Sequence, residues 1–292
     1  MEVEKIHRRT FLRNTVLVTG SLGLLPFSPA LSAEKRSKMR FGLVTYEWGK
    51  DWDLPTLISN CEKTGVLGVE LRTQHAHGVE SSLSKAQREE VKKRFTDSPV
   101  TCLGYGSNYE YHSPDPEKLK QNIEETKAYI QLCHDIGATG IKVKPNYLPP
   151  EIPREKTISQ IAASFNEVGK FAQDYGQEIR VEVHGQYTQE LPVMKAIFDQ
   201  VTESNVKICW NCNEEDLLSP GLEANFHSVK KWFGDTVHVR EFNVGNYPYP
   251  DLFRLFKEMD YEGWILLEAR TKPADRIEAL REQLELFNAL VK

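Results

Sequence analysis

The feature that most constrains this chain is an alternation. From Arg40 onward, short runs rich in β-branched and apolar residues alternate with longer segments of helical period, eight pairs in all. The strand-like runs are Arg40 to Tyr46, Leu67 to Arg72, Val100 to Tyr105, Gly140 to Lys144, Ile179 to His184, Val206 to Asn211, Val237 to Glu241 and Trp264 to Glu268. The helical segments between and after them are Leu54 to Lys63, Lys85 to Phe95, Glu117 to Ile136, Ile158 to Tyr175, Pro192 to Val201, Leu222 to Phe233, Tyr249 to Met259 and Pro273 to Leu290. Successive strands begin 27 to 40 residues apart. A strand paired in parallel with its neighbour needs a crossover of a dozen or more residues, usually a helix, so the spacing reads as repeated βα units. Eight units predict a closed (β/α)8 barrel, a single α/β domain; an open doubly wound sheet is the alternative, because counting elements does not prove closure. Gly65-Val66-Leu67-Gly68, Gly137-Ala138-Thr139-Gly140 and Tyr261-Glu262-Gly263 suit helix caps leading into strands, and no linker or compositional shift divides the chain.

The first 33 residues read differently. His7-Arg8-Arg9-Thr10-Phe11-Leu12-Arg13 is followed by an apolar stretch from Thr15 to Phe27 and then Ala30-Leu31-Ser32-Ala33. Paired arginines, an apolar core and a small-residue exit, in that order, resemble a twin-arginine export signal. Residues 1–33 are therefore expected to be removed, with cleavage between Ala30 and Ala33, leaving a barrel over residues 34–292 in the periplasm or an equivalent exported location. No cysteine at the exit marks a lipid attachment, so no membrane association is expected after removal. A route that carries folded proteins also favours a chain with a metal or cofactor already installed.

Net charge is -5, with no long Lys/Arg block after the first forty residues, so a general electrostatic grip on nucleic acid is not indicated. Five cysteines, Cys61, Cys102, Cys133, Cys209 and Cys212, are few and odd in number for a disulfide framework. Cys209 and Cys212 form C-x-x-C, but residues three apart on a strand face opposite ways, so buried structural thiols are expected rather than a redox pair or half a zinc site.

Active sites of such barrels lie at the C-terminal strand ends. Strand five ends Val181-Glu182-Val183-His184, strand six Trp210-Asn211-Cys212-Asn213, strand seven His238-Val239-Arg240-Glu241 and strand eight Leu266-Leu267-Glu268-Ala269-Arg270. Period-two alternation places Glu182 with His184, Asn211 with Asn213, His238 with Arg240, and Glu268 with Arg270 on one face. A buried, unpaired carboxylate is costly, so Glu182 and Glu268 need partners. Ion pairs with Arg240, Arg270, Lys142 or Lys144 would supply them. A Glu182/Asn211/His238/Glu268 cluster would supply them instead by holding a hard or borderline divalent ion, Mn²⁺, Mg²⁺, Co²⁺ or Zn²⁺. His75, His77, Lys144, His184 and Arg240 are strand-end groups suited to hydrogen-bond hydroxyls or a carbonyl of a ligand, with Lys142 on the same strand face as Lys144. Tyr46, Trp48, Tyr105 and Tyr109 offer rings for stacking on a ligand or for packing.

These motifs resemble the xylose isomerase-like barrel superfamily, the sugar phosphate isomerase/epimerase and ketose 3-epimerase group. The resemblance covers about Arg40 to Lys292, and Gly68-Val69-Glu70-Leu71-Arg72 is also similar to that group's second strand. It implies a TIM barrel in which Glu182 is the metal-binding and acid/base glutamate of an E-x-H motif. It likewise implies that His238 belongs to an H-x-(K/R)-(D/E) motif and that Glu268 is the last-strand glutamate. The sixth strand departs from the pattern: an aspartate with a histidine three residues on is usual, whereas this chain has Asn211-Cys212-Asn213-Glu214. An amide is a weaker ligand and leaves the ion more electrophilic; Asn213 or Asp216 is the alternative donor.

In such relatives two glutamates exchange a proton at carbon through an enediolate beside a divalent ion, here with Mn²⁺ favoured. The resemblance thus implies catalytic roles for Glu182 and Glu268 and a small-molecule sugar as the partner. Export argues for an unphosphorylated sugar or keto-sugar. A metal-dependent lyase or hydratase on 3-keto-glycosides, and a non-catalytic sugar-binding barrel, are the alternatives, and an assembly of like copies is left open. The superfamily's nuclease branch needs more His and Asp ligands than this chain offers at strand six.

Overall fold

A computed structural model describes residues 37–292. The expected export signal, residues 1–33, lies outside the described residues. Eight parallel strands alternate with eight α-helices: β1 Arg40–Val44, α1 Leu54–Thr64, β2 Gly68–Arg72, α2 Lys85–Thr96, β3 Thr101–Glu110, α3 Pro116–Asp135, β4 Gly140–Lys144, α4 Arg154–Gln173, β5 Glu178–Glu182, α5 Leu191–Phe198, β6 Val206–Cys209, α6 Leu222–Val229, β7 Thr236–Val239, α7 Tyr249–Glu258, β8 Trp264–Leu267 and α8 Arg276–Leu290. Hydrogen bonding orders them β6-β5-β4-β3-β2-β1-β8-β7, so β1 pairs with β8 and the sheet curls into a barrel. The seam between β6 and β7 is held by two isolated bridges, Ile208 with Phe233 and Asn211 with His238. The His238 N–H donates to Trp210 O at 2.7 Å across it. The barrel is nearly closed, and its thinnest seam runs through the residues that matter most below.

The helices start where the sequence supplies acceptors. The Asp53 side chain takes the Thr56 N–H at the head of α1, Ser84 and Gln87 form a capping box on α2, and Asp275 takes the Ile277 and Glu278 N–H groups of α8. α1 ends at Gly65, whose φ of 76° lets its N–H turn back to Cys61 O, a conformation costly for other residues.

Alternation along the strands sorts side chains into two cores. Leu43, Ile265 and Leu267 face the helices and join a large outer core with, for example, Phe253, Phe256 and Phe287. The inward set, Val44, Leu103, Trp264 and Leu266, forms a small separate cluster inside the barrel. Gly68 makes room for it, since a Cβ there would lie 2.4 Å from the Trp264 ring. Beside this plug the buried Arg180 donates to Leu103 O, Thr139 Oγ1 and Glu178 Oε1 at 2.8, 2.8 and 3.0 Å. The remaining interior, toward the C-terminal strand ends, is polar.

All eight expected strands and helices are present, with shifted ends. β3 runs on to Glu110, α6 stops at Val229 before a 3-10 turn over Lys230–Trp232, and β5 to β8 end just before or at their key polar residues. A further two-stranded ladder, Asn146–Tyr147 with Gly185–Gln186, is unforeseen. It is possible only because Gly185, at φ 101°, lacks a Cβ that would sit 1.9 Å from Asn146 O. All five cysteines are free and buried, and burial pushes the Cys61 and Cys102 thiols up to about 12. No helix among the described residues is long and apolar enough to cross a membrane.

Candidate active site

The polar end of the barrel gathers one or two inward residues from almost every strand: Glu70 and Arg72 from β2, Lys142 and Lys144 from β4, Glu182 and then His184 from β5. Asn211 comes from the seam, His238 and Arg240 from β7 and Glu268 and Arg270 from beyond β8. A cavity of about 230 Å³ opens there, lined by Tyr46, Arg72, Asn108, Lys144, Glu182, His184, Glu268 and Arg270.

Beneath the cavity, charge is paired among buried side chains. Lys142 Nζ donates to Glu182 Oε2 at 2.5 Å, and the two side chains are 0% and 2% exposed. Arg72 Nη1 donates to Glu268 Oε1 at 3.1 Å, while Arg240 Nη1 holds Glu268 Oε2. His238 lies between carboxylates, its Nε2 3.2 Å from Glu70 Oε1 and its Nδ1 3.7 Å from Glu182 Oε1. Gly106 makes space for Glu70, because a Cβ there would come within 2.6 Å of Oε1.

Burial opposes ionisation of these acids, and their neighbours overrule it. Burial raises the Glu182 carboxyl, but Lys142 and His238 hold it well below the usual range. Glu268 is raised by burial and by Glu182, yet His238, Arg240 and Lys142 bring it below. For His238, burial favours the neutral ring, while the Cys209 sulfur and the Glu70 and Glu182 carboxylates push its pKa well above normal. His184 is lowered by burial and is neutral at pH 7; Asn146 Oδ1 lies 2.9 Å from its Nδ1, which assigns the proton there and leaves Nε2 for another partner.

The donor set fits a divalent cation. One ligand atom each from Glu182, His238 and Glu268 lie within 4.8 Å of one another, all three residues buried. Among the described residues neither His238 nitrogen has a hydrogen-bond partner, nor has the buried Asn211 Oδ1, while the Asn211 Nδ2 reaches Val183 O and Asn213 Oδ1 at 3.4 and 3.3 Å. His238 Nε2 stands 3.2 Å from Glu70 Oε1 without the alignment of a hydrogen bond, so the ring is not committed to that carboxylate and a nitrogen is open to an ion. What is unusual is the competition, since three cationic side chains already neutralise the two glutamates.

The residues expected from the sequence divide. Glu182, His238, Glu268, Lys144, His184 and Arg240 come together, with Asn211 at the seam. His75 and His77 stand outside the cavity lining. His77 is built into the loop after β2 instead: its Nε2 meets Arg72 O at 2.8 Å and its Nδ1 accepts the Val79 N–H at 3.0 Å, so no ring nitrogen is left for a sugar. His75 Nδ1 meets Thr45 Oγ1 at 3.2 Å. Burial lowers both to about 4, so neither carries charge at neutral pH. Asp216 is turned into the turn after β6, accepting Tyr247 Oη–H at 2.7 Å and the Asn213 N–H at 2.9 Å, outside the Glu182–His238–Glu268 group. Trp48 and Tyr105 are fixed to backbone carbonyls of Thr271 and Val79; of the expected aromatics, Tyr46 alone lines the cavity. Glu70, Arg72 and Asn108 were not singled out, although Gly68, Glu70 and Arg72 show the same period-two pattern as the late strands.

A nearly closed barrel of eight parallel strands with a carboxylate and imidazole cluster at the C-terminal strand ends defines a (β/α)8 barrel with polar groups gathered where such barrels carry their sites. Residues 58–290 match the family model described as xylose isomerase-like TIM barrel, and the chain belongs to that family. Solved structures share the fold at low identity. The 3-keto-D-glucoside 4-epimerase from E. coli superposes with a TM-score of 0.71 at 15% identity, over 86% of this chain and 99% of that one. D-psicose 3-epimerase from Clostridium cellulolyticum H10, solved with D-tagatose, gives 0.72 at 15%, over 87% and 100%. D-allulose 3-epimerase from Methylomonas sp. in complex with D-allulose gives 0.73 at 16%, over 87% and 98%.

Proposed function

We propose that this protein is a divalent-metal-dependent isomerase or epimerase acting on an unphosphorylated sugar or keto-sugar. The observation that carries the reading is the placement of Glu182 and Glu268, two ionised carboxylates from the end of β5 and just beyond β8, on one cavity, with one ligand atom from each and one from His238 within 4.8 Å of one another. A divalent ion held by Glu182, His238 and Glu268, with Asn211 as the fourth donor, would polarise the oxygens of a hydroxy-ketone and acidify the intervening C–H. Mn²⁺ is the ion favoured for this mixed oxygen and nitrogen set.

The chain's own groups do the rest. One glutamate takes the proton from the carbon beside the carbonyl; the other, protonated from solvent before the step, gives its proton to the enediolate, and exchange with solvent restores both. Lys142 fixes the Glu182 carboxylate, and Arg72 and Arg240 fix Glu268 from two sides, so neither has to be oriented at the moment of reaction. Lys144 and His184 line the cavity with groups suited to substrate oxygens. Lys142 and the arginines also weaken the glutamates as bases, which makes polarisation of the substrate the more important partner in the reaction.

The same reading takes residues 1–33 as a twin-arginine-type signal and the barrel as an exported enzyme. The test is Glu268→Gln, which keeps the shape and removes the basic oxygen. Turnover of keto-hexoses is expected to fall by about 10²–10⁴-fold. Unchanged turnover removes Glu268 from the chemistry and the proposal with it.

A further inference from the structure

The cavity holds more positive charge than its own carboxylates use. Glu182 and Glu268, the two acids lining it, are already ion-paired, the first with Lys142 and the second with both Arg72 and Arg240. Lys144 and Arg270 line the same cavity, and neither side chain is ion-paired among the described residues. The half-buried Lys144 Nζ donates to Asn108 Oδ1 at 3.3 Å, an amide oxygen that also takes Arg72 Nη2 at 3.0 Å. The surrounding acids are turned elsewhere. Glu110 is held by Asn146, Glu47 by Lys50, and Glu241 accepts the backbone N–H groups of Arg270 and Thr271 at 2.9 and 2.7 Å. Burial first, then the adjacent Lys142 and Arg72, work against the Lys144 charge, and the carboxylates of Glu182 and Glu110, neither ion-paired with it, offset this only in part. A partly desolvated ammonium kept without a counter-charge is costly, and an anion arriving with the ligand offsets that cost.

We infer that the substrate carries an anionic group, seated between Lys144 and Arg270 while the reacting carbons lie over Glu182 and Glu268. The surplus does not depend on metal occupancy, because a divalent cation at His238 only adds to it. The inference rests on the sugar-isomerase reading of this cavity and names its substrate class, a sugar acid. Its carboxylate meets the ammonium and the guanidinium, the latter suited to a two-point contact. A phosphate ester shares this chemistry, and only the export reading sets it aside.

Calorimetric titration of the full-length protein with D-glucuronate, D-glucose 6-phosphate and D-glucose tests this. D-glucuronate is expected to bind about tenfold or more tighter than D-glucose, with the advantage shrinking as salt is raised. In Arg270→Gln, a change at an exposed position, and in Lys144→Gln, the ratio of the two affinities should fall several-fold. A larger advantage for D-glucose 6-phosphate than for D-glucuronate overturns the sugar-acid assignment. Equal affinity for all three ligands, or an anion preference that survives both substitutions, overturns the anionic seat itself. Binding is read without turnover, so the two proposals fail separately. A protein that isomerises neutral keto-sugars without favouring acids loses only this inference; one that binds acids but exchanges no proton loses only the proposed reaction.

Discussion

Lys142→Met removes the cation buried against Glu182 and keeps most of the side chain's volume. The Nζ–Oε2 distance is 2.5 Å and both side chains are essentially inaccessible, so the change strands a carboxylate rather than exposing it to water. Breaking a buried pair from one side costs about 3–5 kcal/mol. Here His238 stands 3.7 Å from the other Glu182 oxygen and takes up part of the charge, which places the loss near the lower bound, about 3 kcal/mol. For a domain of this size that is a drop in Tm of about 6–12 °C. The assay is thermal unfolding of EDTA-treated protein followed by titration with Mn²⁺. Because a divalent ion would replace the missing positive charge, Mn²⁺ should raise the variant's Tm by more than it raises the parent's. If the variant melts within about 2 °C of the parent, the buried pair contributes too little for the reasoning to stand. If Mn²⁺ shifts both equally, metal and lysine do not compete for Glu182.

Three other outcomes follow from the same contacts. Burial raises the Asp216 carboxyl to about 8, against the lowering effect of Tyr247 and Asn213, whereas the unfolded chain holds aspartate near 3.9. Its protonated form therefore stabilises the fold fully below about pH 4 and progressively less up to pH 8. Asp216→Asn should gain urea resistance relative to the parent across that window and hold the gain above it; an advantage that is flat from pH 5 to 9 contradicts the shift. A charged His238 must lose a ring proton to bind a metal, so Mn²⁺ affinity, read by electron paramagnetic resonance, should weaken by up to about tenfold per pH unit on acidification, and a pH-independent affinity would remove His238 from the ligand set. Gly106→Ala places a methyl 2.6 Å from Glu70 Oε1 and 2.7 Å from Arg72 Cδ, so it should cost about 1–3 kcal/mol in denaturant titration; an unchanged midpoint would mean that Glu70 is not confined there.

Much of this site was legible because a strand's two-residue period is readable without a structure. Val181-Glu182-Val183-His184 and His238-Val239-Arg240 announce an inward polar face on their own, and strand order in a barrel then brings those faces together. Glu70 and Arg72 carried the same signal within Gly68-Val69-Glu70-Leu71-Arg72, but they lie on an early strand, far in sequence from the late strand ends. What the sequence could not reveal was which cation reaches which acid. That depends on register between neighbours in space: β4 sits beside β5 with Lys142 opposite Arg180, and Lys142 meets Glu182, two residues further along β5. Ion pairing and a metal cluster stood as alternatives in the sequence, and the barrel presents the geometry of both. His77 and Asp216, expected at the site from the sequence, are placed otherwise for a different reason, since hydrogen bonds within their own loops take up their polar atoms and leave no periodic trace.

The account turns on proton exchange at a sugar carbon by Glu182 and Glu268 in a metal-loaded site. Its most direct test is to strip the protein with EDTA, reload it with Mn²⁺, and follow keto-hexoses and keto-hexuronates in heavy water by nuclear magnetic resonance. The account predicts an isomer or epimer carrying one deuterium on a carbon next to the carbonyl, absent from the stripped protein and from Glu268→Gln. Failure of every substrate to exchange that hydrogen with Mn²⁺ present, or release of an aglycone from a 3-keto-glycoside with no isomer formed, would contradict it.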